Sequence, residues 1–178
     1  SFVWVGFSGG RDSSVLLHAV VKVFGAELCG AIHIDHQISD FSASWSSHCQ
    51  LMCRDLGIRF LSRSVKLKKG NVEKQARSSR YEEWTKVLSE NEIIVTAHHQ
   101  DDLAETRLWQ LLTGRAPIGI PYSRPLGLGQ VVRPFLVLKR DDLKSYAQEN
   151  ALEWVEDESN RDLSYDRNWL RHHLLPIL

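Results

Sequence analysis

Runs of apolar residues alternate with stretches of helical periodicity along the chain, a pattern typical of a parallel sheet covered by helices on both faces. Short apolar runs bounded by turn residues predict the strands, which are expected at 2–7, 28–34, 58–65, 92–96 and around 131–135. A helix around 141–150 and residues 153–160 complete this region. We therefore predict an α/β fold with a five-stranded parallel sheet and a ligand site at the carboxyl ends of its strands.

The periodic stretches predict helices whose ends are marked by glycine. Two of them end near Gly25 and at Gly57, because glycine readily adopts the left-handed conformation that closes a helix. Two more are expected over 72–90 and directly after the fourth strand. Residues 114–125 are rich in glycine and proline and form a predicted functional or mobile loop, and a basic helix is expected from Tyr165.

Composition narrows the function classes only slightly. The 178 residues suit one α/β domain, and a formal net charge of +0 neither favours nor excludes RNA. No apolar stretch reaches the ~18 residues of a membrane span and no signal peptide precedes the first strand, so we expect a cytoplasmic protein without a membrane partner. Since Ser1 opens directly onto a core strand, some sequence is expected to precede it.

Three cysteines, Cys29, Cys49 and Cys53, are odd in number and form no CxxC pair. This spacing argues against a disulfide framework and against a structural zinc site. We expect all three to be reduced thiols buried in the core.

The first strand runs directly into the segment SGGRDS, residues 8–13, at the start of a helix. Glycines let the backbone approach a ligand closely, and the free N–H groups of a helix start attract a phosphate. Neither GxxxxGK[ST] nor GxGxxG is present, which excludes the common phosphate loops. A carboxylate at Asp12 beside phosphates requires a divalent cation such as Mg²⁺ between them. The alternative is a simple turn capped by Ser13.

A second polar segment, HHQDDLAET, brings three carboxylates to the first turn of a helix after the fourth strand. Asp101 and Glu105 are four residues apart on one face, with Asp102 close by. Acids often complement the helix dipole at this position, but two would suffice for that. The cluster favours a cation site, although His98 and His99 lack the partners that zinc requires.

Two further segments carry polar residues at positions suited to ligands. Asp35 and His36 follow the second strand at the carboxyl edge of the sheet, with a core or capping role as the alternative. Glu73, Arg77 and Arg80 share one helical face, which by itself is typical of a solvated, ion-paired surface.

These segments occur in an order that resembles one known family. SGGRDS, HIDHQIS, EKQARSSRY, TAHHQDDLAETRLWQLLTG, RPFLVLKRDDL and EDESNRDLSYDRNWLR are similar to motifs of the PP-loop ATP pyrophosphatases, in their tRNA(Ile)-lysidine synthetase branch. The resemblance covers nearly the whole chain. It implies ATP-dependent ligation of free L-lysine to C2 of the wobble cytidine of the isoleucine tRNA with a CAU anticodon, through an adenylated tRNA, with release of pyrophosphate and AMP.

The resemblance also implies roles for individual residues. Catalysis is expected from Asp12, Asp102 and Glu105, and metal binding from Asp12 and Asp101. ATP is expected to contact Ser8, Gly9, Gly10, Arg11, Asp12, Ser13, Asp35 and His36. Substrate contacts are expected from Arg77, Arg80, His99, Asp101, Asp102, Glu105, Arg167, Asn168 and Arg171. Whether Asp102 or Glu105 accepts the lysine proton, or only orients the ammonium group, stays open at this point.

The chain departs from the family pattern in one segment and leaves two rival functions. Its GRAPIGIP turn is less glycine-rich than in many members, and the C-terminal domains with which larger relatives grip tRNA are not expected within residues 1–178, which we interpret as the catalytic PP-loop domain. A tRNA thiolase of the same superfamily would need paired reactive cysteines. A non-catalytic nucleotide-binding module would need the loop but not the carboxylates.

Overall fold

The computed structural model describes residues 1–37, 42–67, 71–156 and 169–174. Within these ranges six strands form one sheet, in the spatial order β3-β2-β1-β4-β6-β5. The strands are β1 (Val3–Gly6), β2 (Cys29–Asp35), β3 (Arg59–Ser64), β4 (Ile93–Val95), β5 (Ser123–Leu126) and β6 (Gly129–Val132). All neighbouring strands are parallel except β5 and β6, which form an antiparallel hairpin.

Helices follow the strands in the expected α/β order. They are α1 (Arg11–Phe24), α2 (Ser42–Asp55), α3 (Val72–Val87), α4 (Gln100–Leu112) and α5 (Arg140–Glu149). Short 3-10 turns lie at Ala26–Leu28 and Pro134–Val137, and Leu170–Leu174 is a π-helical turn. This turn is the described part of the predicted basic tail helix. Across the ranges given above, no helix is both long and apolar enough to cross a membrane.

The prediction of five parallel strands was wrong in one respect. The segment predicted as a loop, 114–125, ends in β5, which adds an antiparallel edge strand beside β6. Gly127 has φ +57°, and this left-handed conformation suits the two-residue turn that joins β5 to β6. Residues 153–156, expected to complete the sheet region, form no strand.

Side chains alternate between two cores, one on each face of the sheet. Val3 and Val5 join the core that contains residues of α1, α2 and α5, whereas Trp4 lies in the core beside Trp84 of α3. A Cβ atom on Gly6 would lie 2.8 Å from the Trp84 ring, so only glycine lets α3 pack this closely on β1. The prediction of helices on both faces is confirmed.

The sheet order places two polar segments side by side. β1 and β4 are neighbouring parallel strands, so the turn that follows β1 and the N-terminus of α4 meet at the carboxyl edge of the sheet. β6 lies next to β4, and its carboxyl end therefore reaches the same edge.

Candidate active site

The glycine-rich turn after β1 has a backbone that other residues would not tolerate. Gly9 has φ +85°, and a Cβ atom there would lie 2.8 Å from Cys49 Sγ in α2. Glycine is therefore required both by conformation and by space. The turn therefore packs against α2, and Ser8 is exposed beside it.

Ser13 braces this turn from within α1. Its Oγ donates to the Gly10 carbonyl at 2.9 Å, accepts from Ser8 N at 3.3 Å and lies 3.0 Å from Ser8 Oγ. The first intrahelical bond runs from Ser14 N to Gly10 O, and Gly10 supplies no side-chain cap. The N–H groups at the start of α1 are therefore available to an anion, as phosphate binding requires.

A distant segment crosses the turn. Val155 N donates to Gly9 O at 2.9 Å, so residues 153–156 lie against the glycine-rich turn. This contact could not be predicted from the side chains of the segment, because it joins two backbone groups that are far apart in the sequence.

Asp12 faces the N-terminus of α4 through a buried histidine. Nε2 of His99, which is 2% exposed, lies 3.4 Å from Asp12 Oδ2 and 3.5 Å from Asp102 Oδ2, while its Nδ1 lies 3.4 Å from Asp101 Oδ2. Asp102 Oδ2 also accepts from His99 N at 3.0 Å. The histidine therefore joins three carboxylates that come from the first turns of two different helices, α1 and α4.

The charges around His99 change its protonation and that of Asp12. Burial by itself lowers the pKa of His99, but the interaction with Asp12 and the charges of Asp102 and Asp101 outweigh it, so the pKa lies above its usual value. Burial by itself raises the pKa of Asp12, and His99 together with Arg11 more than reverses this. Each partner thus favours the charged form of the other.

Glu105 is the most deeply buried of the α4 carboxylates. It is fully buried, and its two oxygens accept from Arg171 Nε at 2.6 Å and Arg171 Nη2 at 3.0 Å. Arg171 Nη2 also lies 3.8 Å from Asp102 Oδ1. The guanidinium therefore ties the Leu170–Leu174 turn to α4. We call Asp12, His99, Asp101, Asp102, Glu105 and Arg171 the carboxylate cluster.

Asp101 links this cluster to α5. Its Oδ2 accepts from Arg140 N at 2.9 Å, so Asp101 also caps the start of α5. Asp102 caps α4 itself through His99 N, so helix capping describes part of the roles of Asp101 and Asp102. All three acids also contact charged side chains.

Asp35 and His36 lie at the end of β2, at the same edge of the sheet. Asp35 Oδ1 accepts from Gln37 N at 2.8 Å and so stabilises the turn after the strand. Burial and the nearby charge of Arg80 lower the pKa of His36 to about 4. The imidazole of His36 is therefore neutral near pH 7, and Arg80 lies on its side of the sheet.

A second group of charged residues lies at the carboxyl end of β6. Of its members, the sequence predicted only Arg77 as a site residue. Arg133 is 1% exposed, and it donates to Pro121 O at 2.7 Å and to Tyr81 Oη at 3.1 Å. The guanidinium carbon of Arg124 lies 4.0 Å from the Tyr81 ring centroid, and that of Arg77 lies 5.8 Å away. We call Tyr81, Arg77, Arg124 and Arg133 the arginine cluster.

The site residues expected from sequence thus separate into groups. Ser8 to Ser13 and the carboxylate cluster lie together, Asp35, His36 and Arg80 lie at the end of β2, and Arg77 belongs to the arginine cluster. Arg167 and Asn168 lie outside the described residues. Arg124 and Arg133 were missed, because only the β5–β6 hairpin brings them to Tyr81.

All three cysteines are buried and unpaired, as the sequence predicted. Burial raises the pKa of the Cys49 and Cys53 thiols to about 12. Cys49 Sγ lies 3.6 Å from His33 Nδ1, which donates to Phe7 O at 2.9 Å. Cys49 packs beneath the glycine-rich turn, and all three thiols lie in the core as small apolar groups.

Comparison with known proteins agrees with this geometry. A family model described as the PP-loop domain matches residues 1–178. The chain belongs to the PP-loop domain family. Membership implies that this PP-loop domain binds ATP, and the glycine-rich turn of SGGRDS at the start of α1 is the part of the domain suited to its phosphates.

Curated proteins similar to this PP-loop domain share a name. The tRNA(Ile)-lysidine synthases of Legionella pneumophila (strain Paris) and Coxiella burnetii are each 44% identical over 98% of this chain, which covers 42% and 40% of their lengths. The Pseudomonas aeruginosa protein of the same name is 41% identical over 98% of this chain and 41% of its own length. The chain thus spans about two fifths of these relatives.

Solved structures share the fold at low sequence identity. The U34-tRNA thiolase NcsA from Methanococcus maripaludis, solved with its [4Fe-4S] cluster, has a TM-score of 0.73 at 16% identity, covering 97% of this chain and 66% of that one. A predicted tRNA methyltransferase subunit from Methanocaldococcus jannaschii has a TM-score of 0.51 at 16% identity, covering 83% and 75%. At such identities the likeness concerns the PP-loop fold alone.

Proposed function

We propose that this PP-loop domain carries the catalytic chemistry of a tRNA(Ile)-lysidine synthetase. It would use ATP to adenylate the C2 oxygen of the wobble cytidine in the CAU anticodon of an isoleucine tRNA. The ε-amine of free L-lysine would then attack C2, and AMP would leave with that oxygen. One observation carries the proposal: the carboxylate cluster lies directly beside the glycine-rich turn, joined to it by the contact between His99 and Asp12 at 3.4 Å.

The first step needs an activated oxygen. The C2 oxygen of cytosine is a poor leaving group, whereas AMP is a good one. The C2 oxygen would therefore attack the α-phosphate of ATP and displace pyrophosphate, which leaves AMP bound to the ring as the leaving group for the second step. Ser8 to Ser13 would bind the phosphates through the N–H groups that begin α1. Arg11, whose Nε lies 2.9 Å from Asp12 Oδ1, would add positive charge there.

The donors suit a magnesium–nucleotide complex rather than a metal site made only of protein ligands. Within the part of the chain that the structure describes, no three His, Cys, Asp or Glu side chains are arranged to hold a metal ion. Mg²⁺ in nucleotide sites needs one or two carboxylates besides the phosphates. Asp12 and Asp101 would supply them, and the ion would neutralise phosphate charge.

The second step needs a neutral amine. The lysine side chain has a reference pKa of ~10.4, so it must lose a proton before it attacks C2. Of the two acids that sequence left open, Asp102 is the better acceptor, because 16% of its side chain is exposed against 1% for Glu105. Glu105 is then a positioning residue that holds Arg171 beside Asp102.

The anticodon would approach across the same edge of the sheet. Arg77, Arg80 and Arg171 would contact the substrates, together with Arg167 and Asn168 of the C-terminal tail. To reach the glycine-rich turn, the wobble base must leave the stack of its neighbouring bases, and bases in a single-stranded RNA loop do this readily.

Mass analysis of nucleosides tests the proposal. A CAU-anticodon isoleucine tRNA is incubated with the protein, Mg·ATP and L-lysine, and lysidine is expected together with AMP and pyrophosphate. Omitting lysine should yield no lysidine. Release of ADP and phosphate, or an unchanged cytidine in the complete mixture, contradicts the proposal.

The thiolase alternative is tested through the cysteines. A reactive thiolate needs an exposed, electropositive setting, whereas Cys49 and Cys53 are fully buried with raised pKa values. A variant with all three cysteines changed to Ala is expected to keep lysine-dependent modification per folded molecule, at some cost in stability. Loss of modification in the folded variant, or a thiolated nucleoside from the wild type, would favour the thiolase.

A further inference from the structure

The β5–β6 hairpin directs two arginines toward α3. Arg124 of β5 pairs with Val131 of β6, and Val131 is buried in the core beside Trp84. Arg133 follows Val131 by two residues and so points to the same face of the sheet. Both arginines therefore meet Tyr81, one helical turn before Trp84 on α3.

This arrangement concentrates positive charge without a visible counter-charge. Among the described residues, Arg77, Arg124 and Arg133 form no ion pair with a carboxylate. The Nε atoms of Arg124 and Arg133 are buried and have no hydrogen-bond partner. A buried guanidinium without an anion is costly, so an anion that binds here would relieve a strain already present in the fold.

Tyr81 is oriented as a donor by the same contacts. Its oxygen accepts from Arg133 Nη2, which leaves its own proton to be donated elsewhere. Burial by itself raises the pKa of Tyr81, but the charges of Arg133, Arg124 and Arg77 outweigh it and lower the pKa. A phenol that loses its proton more easily is also a stronger hydrogen-bond donor.

We propose that Arg77, Arg124 and the Tyr81 hydroxyl form a binding site for a phosphate group, with buried Arg133 as the positioning residue behind Tyr81. Arg77 is exposed and Arg124 is half-buried, so both can reach a ligand. Guanidinium groups bind phosphate oxygens in a fork geometry, and a phenol O–H adds a third donor.

The phosphate is assigned to the RNA backbone, and this part of the inference rests on the proposed function. β6 lies beside β4, so the arginine cluster is at the same edge of the sheet as the glycine-rich turn but on the α3 face. A phosphodiester held there would lay the RNA strand along that edge. ATP is the other source of a phosphate at this edge.

The first test measures how salt affects RNA binding. Arg124→Gln should weaken binding of an RNA anticodon stem-loop and reduce the slope of log affinity against log salt by about 1, as expected for one lost phosphate contact. Arg59→Gln is the matched control. The guanidinium carbon of Arg59 also lies near aromatic rings, 5.8 Å from the Phe2 ring centroid and 5.9 Å from that of Trp4. Arg59 belongs to β3, however, which is the outer strand on the side of the sheet opposite β5. Equal slopes in the wild type and Arg124→Gln would overturn the RNA assignment.

Two further measurements separate the alternatives. Arg124→Gln should leave Mg·ATP binding unchanged, and weakened ATP binding would assign the phosphate to the nucleotide instead. Inorganic phosphate, compared with chloride at equal ionic strength, should raise the pKa of Tyr81, read by ultraviolet titration as the difference between wild type and Tyr81→Phe.

The phosphate titration does not depend on the proposed function. If the wild type binds no RNA but phosphate still raises the pKa of Tyr81, the proposed function fails and the phosphate site stands. If phosphate leaves that pKa unchanged, or shifts it equally in Arg124→Gln, the site itself is refuted.

Discussion

The carboxylate cluster and the arginine cluster lie at the same edge of the sheet but differ in whether their charged side chains have partners of opposite charge. In the carboxylate cluster, His99 lies within 3.5 Å of Asp12, Asp101 and Asp102, and Arg171 binds Glu105. In the arginine cluster, Tyr81 is surrounded by guanidinium groups that have no carboxylate among the described residues. The carboxylate cluster contains two cationic side chains in contact with its four acids, whereas the arginine cluster has no carboxylate among the described residues.

This difference separates two tasks. A cluster in which acids and cations contact one another holds its side chains in place before a substrate arrives, which suits proton transfer and metal binding. A cluster of guanidinium groups without a carboxylate is stabilised when an anion binds to it, which suits the binding of a negatively charged polymer. The variants below change one region at a time.

Asp12→Asn should have the largest effect. The carboxylate is about a third exposed and lies beside the turn that would hold the phosphates, so losing its charge should reduce ATP-dependent adenylation about 1000-fold while the protein stays folded. Pyrophosphate release measures the rate. Asp141→Asn, an exposed acid in the first turn of α5, is the control and should remain near wild type. Adenylation at the wild-type rate in folded Asp12→Asn would remove Asp12 from the site.

Glu105→Gln should cost about 3 kcal/mol of unfolding free energy, because it leaves the Arg171 guanidinium partly buried without its charged partner. Urea denaturation measures this loss. Asp55→Asn breaks a pair whose side chains are 70% and 68% exposed, and should cost less than about 1 kcal/mol. Similar costs for the two variants would show that the pair of Glu105 and Arg171 does not stabilise the fold more than a surface ion pair does.

Asp102→Asn should separate the two chemical steps. The change keeps the shape of the side chain but removes the proton acceptor, so lysine transfer should fall about 100-fold while Mg·ATP binding is unaffected. Single-turnover assays that start from adenylated tRNA measure the second step alone. If transfer persists at the wild-type rate, Asp102 acts as a helix cap, through its 3.0 Å bond with His99 N.

His36 should show the smallest effect, as a pH dependence on the Arg80 side of the sheet. Its folded pKa of about 4 lies below the unfolded value of 6.5, so the folded state disfavours the charged form. The stability of the wild type relative to His36→Gln should be constant above pH 6.5 and fall as the pH drops toward 4. The slope should not exceed about 1.4 kcal/mol per pH unit.

Much of the architecture could be predicted from sequence, because periodicity reports which face of an element is buried. The strands at Val3–Gly6, Cys29–Asp35 and Arg59–Ser64 lie within one residue of their predicted bounds. β5 was missed because its residues, SRPL, contain proline and show no apolar alternation. That strand depends on pairing with β6, which a local pattern does not reveal.

The amino-acid sequence by itself determined the order of the helices and of every strand except β5, the glycine-rich turn and the three acids that begin α4. Only the tertiary structure decided which partner each charge receives. Arg171 reaches Glu105 across 66 residues, and Arg133 reaches Tyr81 across 52. Local propensity acts between residues a few positions apart, whereas pairing inside a low-dielectric interior depends on which elements the sheet brings together. The contrast between the two clusters is therefore a property of the folded chain.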